Sequence, residues 1–120
     1  MPRFVVLRHD IPGGVHWDFM LEKGMSLATW SLPEPPDSAH PITAEALPDH
    51  RLAYLDYEGP VSGGRGSVTR WDRGTYQVES ETEAGLTAML SGERLRGRVC
   101  LKSCPEQRGK WDFSFTAQIG

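Results

Sequence analysis

Short apolar and alternating runs, each ended by Gly, Pro or a polar turn, restrict this chain to sheet. Such runs recur at residues 4–7, 16–22, 26–32, 67–71, 75–78, 86–90, 95–101 and 111–116. They amount to roughly eight short strands with turns about every 8–12 residues and little helix, which implies a barrel or a sandwich. Residues 33–49 are Pro-rich and polar and read as a surface loop, because proline fixes φ and removes a ladder donor. Within that loop Ile42 to Leu47 could form one helical turn with Thr43 as its N-cap. His40 reads as a solvated loop residue. Asp72, Arg73 and Gly74 read as a turn between two strands, and residues 80–84 as an acidic loop. No internal repeat is visible.

A chain of 120 residues is expected to form one domain, residues 1–120, with a single core. A hydrophobic content of 38% with four Trp fits a folded protein and not a disordered one. No apolar run approaches the roughly 20 residues of a membrane span, and residues 1–4 lack a signal-peptide layout. The expectation is a cytoplasmic protein without membrane contact. Cys100 and Cys104 are then reduced thiols, since C-x-x-x-C is neither a redox nor a zinc-knuckle spacing. The net charge of −3 argues against broad nonspecific nucleic-acid binding through one basic surface. Residues 1–60 hold 4 Lys+Arg against 9 Asp+Glu, and residues 61–120 hold 9 against 7. The basic half could meet phosphates, although an imbalance of this size is also common by chance.

The densest chemistry lies between Arg8 and Glu22, where two histidines and two aspartates flank Pro12-Gly13-Gly14. Two β-type runs around such a turn read as a hairpin or tight loop. Alternation then puts His16, Asp18, Met20 and Glu22 on one face and Trp17, Phe19 and Leu21 on the other. The apolar set faces a core, and the polar set faces a different space. His9, at the end of the preceding strand, is within reach if the two strands pair. Two imidazoles and a carboxylate with open positions suit a divalent Mn, Fe or Zn ion. The competing reading is an ordinary solvated polar face.

Residues 50–57 also read as extended, with His50, Leu52, Tyr54 and Asp56 along one face. A His and a Tyr so placed can both donate hydrogen bonds to an anion; the alternative is a core Tyr and a strand-end His. The following residues 58–66 hold four glycines and one proline, so the backbone can approach a ligand closely or turn sharply. This is neither a Walker A nor a Rossmann fingerprint, and a plain flexible loop explains it as well.

Ordered across the chain, these features resemble the 3′-phosphoesterase domain of bacterial DNA ligase D and its free-standing bacterial and archaeal relatives. The resemblance lies in Phe4-Val5-Val6 leading to His9-Asp10, and in His16-Trp17-Asp18-Phe19 with Leu21-Glu22. It continues in Trp30 with Pro33, Asp49-His50 with Tyr54, and Asp56-Tyr57-Glu58-Gly59. Trp71 to Tyr76 and Leu90, Gly92, Leu95 and Gly97 complete it. It implies a small closed or partly open β-barrel of about eight strands with a metal and phosphate site in its crevice. It also implies removal of 3′-terminal ribonucleotides and 3′-phosphates from DNA ends in repair, usually with Mn²⁺, with Zn²⁺ or another divalent ion as alternatives. A separate ligase or polymerase is the implied protein partner. Carried over residue by residue, His9, His16 and Asp18 are the implied metal ligands, and His50 and Tyr54 the phosphate-contacting and catalytic pair.

The chain departs from the family pattern in three places. Met20 stands where the family usually has an Arg two residues after the Asp, and a thioether cannot grip phosphate as a guanidinium does. The loop from Ile11 to Val15 is one residue longer. Glu34-Pro35 stands where a Lys is common, and the stretch before His50 is shorter. Arg51, Arg65 or Arg70 could supply the missing cation from another direction. The implied chemistry is metal-assisted hydrolysis, with His50 stabilising or protonating the leaving oxygen and Tyr54 orienting the phosphate. Asp10 either orients a ligand imidazole or caps the hairpin. A different class of function competes with this one: a catalytically weak or inactive module that binds nucleic-acid ends or nucleotides on the same barrel, favoured by Met20.

Overall fold

A computed structural model describes residues 1–119. Its strands are β1 (Arg3–Ile11), β2 (Gly14–Lys23), β3 (Ser26–Leu32), β4 (Ile42–Arg51), β5 (Gly59–Pro60), β6 (Ser67–Thr82), β7 (Gly85–Gly92), β8 (Arg96–Ser103) and β9 (Lys110–Ala117). One 3₁₀ turn, η1 (Leu52–Leu55), follows β4. Neighbouring strands are antiparallel in the order β1-β2-β3-β4-β9-β8-β7-β6, and β6 pairs back onto β1. The pairings therefore form a ring, which decides between the barrel and the sandwich that the alternating runs allowed and agrees with the closed or partly open barrel the resemblance implies, with the two-residue β5 attached outside it. No helix among the described residues is long and apolar enough to cross a membrane.

Two apolar clusters lie on opposite sides of the wall. Phe4, Val6, Phe19, Leu21, Ile42 and Phe113 belong to the large one, to which every strand of the ring contributes, so it fills the interior. Phe19 and Phe113 meet edge to face at 5.2 Å within it, a preferred geometry for aromatic pairs. Val5, Leu7, Met20, Leu27, Leu55 and Val68 form the second cluster. Val5, Leu7 and Met20 are the alternate residues of β1 and β2, so they point outward, and Leu27 of β3, Leu55 of η1 and Val68 of β6 join them there. Segment 52–61 covers them through Leu52, Tyr54, Leu55 and Val61. Both faces of β1 and β2 are thus buried, which explains the continuous apolar run from Phe4 to Leu7.

Four local expectations are corrected. Residues 42–47 are strand and not a helical turn: Ile42 and Ala44 alternate into the core, and β4 pairs with β3 and β9. Asp72 to Gly74 is no turn, because β6 runs unbroken through it and reaches Thr82, inside the expected acidic loop. Its Gly serves close approach instead: a Cβ at Gly74 would lie 2.1 Å from the Ser91 carbonyl oxygen. The Asp72 carboxylate is buried and accepts the N–H groups of Glu93, Arg94 and Leu95 at 2.8–2.9 Å, building the β7–β8 turn. Residues 50–57 are not extended throughout, since η1 interrupts them.

Candidate metal centre

The β1–β2 hairpin closes through Pro12 and Gly13, and Gly13 has φ +86°, a value L-residues avoid. This two-residue turn sets the register that places His9 directly opposite His16. Directly opposed residues share a face and lie close enough for their side chains to meet, and Asp18 follows two residues later on that face. His9 Nδ1 lies 3.0 Å from His16 Nε2 and 3.4 Å from Asp18 Oδ2, and His16 Nε2 lies 3.1 Å from Asp18 Oδ1. Donors about 2.1 Å from a shared ion, at angles between octahedral and tetrahedral, stand roughly 3.0–3.4 Å apart. The three residues thus have the spacing of a three-ligand metal cluster.

The polar bookkeeping agrees with a cation between them. Asp18 is only 3% exposed. Its Oδ1 is buried, and the nearby His16 nitrogen is not aligned to hydrogen-bond it, so that oxygen has no donor. A buried carboxylate oxygen without an aligned donor is costly, and an ion would satisfy it. Short-range polar contact with Asp18 holds the His16 imidazole above its ordinary pKa, against burial and helped by the carboxylate's charge. The second nitrogen of His9, Nε2, donates to the Arg65 carbonyl at 2.7 Å. That bond leaves the Nδ1 lone pair turned to the cluster, as a ligating imidazole requires. The Arg65 carbonyl had no signal in the sequence, because any residue carries one; the glycines around it were the only hint.

His9 and Asp18 open into a cavity of about 80 Å³ that is also lined by Met20, His50, Tyr54 and Arg65. His50 closes the end of β4, and its Nδ1 donates to the Pro48 carbonyl at 2.9 Å, so Nε2 is the nitrogen open to a ligand. One turn of η1 brings Tyr54 back against it, with ring centroids 5.6 Å apart. The two meet as expected, but across a 3₁₀ turn and not along a strand face; Asp56 is carried away to pair with Arg3 at 2.8 Å.

The remaining residues separate. Asp10 alternates to the other face of β1 and pairs with Arg8 at 3.2 Å, outside the cluster. Arg65 lines the cavity, but its guanidinium bonds the Ser62 carbonyl and hydroxyl. Arg51 lines a neighbouring hollow with Tyr54 and Tyr57. The Arg70 side chain is not among the cavity-lining groups; its backbone N–H donates to Glu58 and its Nε is buried without a partner.

Comparison with known proteins identifies the family of the chain. Residues 7–103 match the family model of the DNA ligase D 3′-phosphoesterase domain. The chain is 36% identical over 106 residues to the multifunctional non-homologous end joining protein LigD of Pseudomonas aeruginosa, covering 80% of this chain and 12% of that protein. It is 34% identical over 95 residues to LigD of Mycobacterium bovis, covering 72% and 12%. Against LigD of Mycolicibacterium smegmatis it is 26% identical over 115 residues, covering 82% and 15%. The chain therefore spans only 12% to 15% of the length of these curated relatives. Because the matched span covers most of the sequence and includes His9, His16, Asp18, His50 and Tyr54, the chain belongs to the DNA ligase D 3′-phosphoesterase domain family.

Proposed function

We propose that this protein is a metal-dependent phosphoesterase that processes DNA 3′ ends in repair, removing a terminal ribonucleotide, a 3′-phosphate or both. The observation that carries this reading is the unsatisfied Asp18 carboxylate beside two imidazoles, in a cavity shared with His50 and Tyr54. His9, His16 and Asp18 would hold the ion, with Mn²⁺ our first assignment and Zn²⁺ or another divalent metal the alternative. Such an ion supplies Lewis acidity toward a phosphoryl oxygen. His50 offers Nε2 to the phosphoryl group or the leaving oxygen and is held in place by Pro48. The Tyr54 hydroxyl orients the phosphate. A DNA strand ending in a phosphate or a ribonucleotide is the substrate class, and a separate ligase or polymerase would take over the processed end. The relatives' names, which place them in end joining, support that setting. The cytoplasm is the compartment we assign.

The test is a labelled primer–template bearing one 3′-ribonucleotide or a 3′-phosphate, incubated with Mn²⁺. Shortening of the first or conversion of the second to a 3′-hydroxyl is expected, and His50→Ala should stop either while metal binding persists. No processing at any Mn²⁺ level would favour the second reading, a binding module. One observation gives that reading weight: Met20 lines the cavity where the family resemblance calls for a guanidinium.

A further inference from the structure

A second hollow adjoins the metal cavity. It is lined by Arg51, Tyr54, Tyr57, Pro60 and Val61, among others. Tyr54 and Val61 also line the metal cavity, so the two spaces share a wall. They differ in size: about 80 Å³ beside the metal ligands and about 250 Å³ in the hollow. The first suits a phosphoryl group, and only the second has room for a ring system.

The hollow is built around an aromatic pair. Tyr54 and Tyr57 stand edge to face with centroids 5.7 Å apart. Tyr57 is 36% exposed, one of the few large apolar side chains of the described residues left so open. Its hydroxyl donates to the Pro60 carbonyl, which fixes the ring and occupies its polar end. Gly59 lets the ring lie close, since a Cβ there would come within 3.1 Å of the Tyr57 hydroxyl oxygen. With its hydroxyl engaged, what Tyr57 offers to a ligand is its exposed aromatic ring, held in place before binding. Such a ring takes any nucleobase, and the exposed Arg51 at the same hollow adds a cation that stacks or meets a base oxygen.

We propose that this hollow binds the terminal nucleobase of the 3′ end, stacked on Tyr57, while the attached phosphate occupies the space between Tyr54, His50 and the metal ligands. The inference rests on the end-processing reading and adds a base-recognition site to it, so a 3′ end would be held by its last nucleoside and not only by its phosphates.

The experiment compares 3′-phosphate oligonucleotides whose last residue carries a base or is abasic, reading apparent Kd and KM in Mn²⁺, with binding of a free nucleoside 3′-monophosphate in parallel. Wild type should prefer the base-bearing end by roughly 5- to 150-fold, the usual range for one stacked base. Tyr57→Leu should erase that preference, bringing the base-bearing end down to the abasic value with Mn²⁺ binding unaltered, and Tyr57→Phe should keep most of it. If Leu loosens the loop, the wild-type comparison of base-bearing and abasic ends still decides. Equal handling of both ends by wild type would overturn the base site and leave end processing standing. No processing at all, with nucleoside 3′-monophosphate bound in a Tyr57-dependent way, would overturn end processing and keep the base site. Failure of the nucleotide to bind would overturn the base site by itself.

Discussion

Met20 is 1% exposed, follows His16 and Asp18 on one face of β2, and packs with Val5, Leu7 and Leu55 while lining the metal cavity. It therefore trades a phosphate grip for apolar contact. Met20→Arg should reverse the trade. A guanidinium reaching the cavity would add a charge-assisted bond worth about 1.5–3 kcal/mol, lowering KM for a 3′-phosphate end roughly tenfold or more. Its stem and charge would disturb the outer apolar cluster, so thermal unfolding should show a loss of about 1–3 kcal/mol. An unchanged KM in the folded variant would mean that phosphate is held without that position. At this scale the grouping of His16 and Asp18 was legible in the sequence, because alternation fixes which side chains share a face, whereas His9 joined them only on the condition that the two strands pair, which the hairpin register meets. Asp10 fell outside by the same rule, one residue from His9 and hence on the other face.

The hairpin carries the three candidate ligands, but segment 59–66 supplies the bond that orients His9. Gly66 is its tightest point: φ is +83°, and a Cβ would lie 1.8 Å from the Asp10 carbonyl oxygen. Gly66→Ala must push this segment off β1 and carry the neighbouring Arg65 carbonyl away from His9. Losing such an outer partner typically costs about 10- to 100-fold in metal affinity. Titration with Mn²⁺ should show that loss while far-ultraviolet circular dichroism still reports sheet; unchanged affinity would mean that His9 does not depend on the Arg65 carbonyl. Element boundaries near this segment were hard to read. The chain from His50 to Tyr57 has a strand-like composition, yet η1 turns it so that Leu55 can cap the outer cluster. Only the tertiary need to cover Val5, Leu7 and Met20 explains that turn. Likewise Gly74 looked like turn chemistry and proved to be close packing against Ser91.

Over the whole molecule, the wall between the two clusters is what makes the site. The interior side of β1 and β2 is locked into the ring by Phe4, Val6, Phe19 and Leu21, so the outward residues between them are presented on a rigid sheet. Ligands on packed strands hold their geometry better than ligands on loops. Most strands could be read from periodicity, but the count of about eight divided β6 in two and missed β4, and the joining of β1 to β6 and β4 to β9 could not be read at all, since alternation is local and these partners are distant in sequence. The most direct measurement is equilibrium dialysis of wild type and His16→Ala against Mn²⁺. The account predicts about one ion per chain for wild type, as three converging donors on a rigid wall imply, and none for a His16→Ala protein with an unchanged sheet spectrum. Equal binding by the two proteins, or none by wild type, would contradict it.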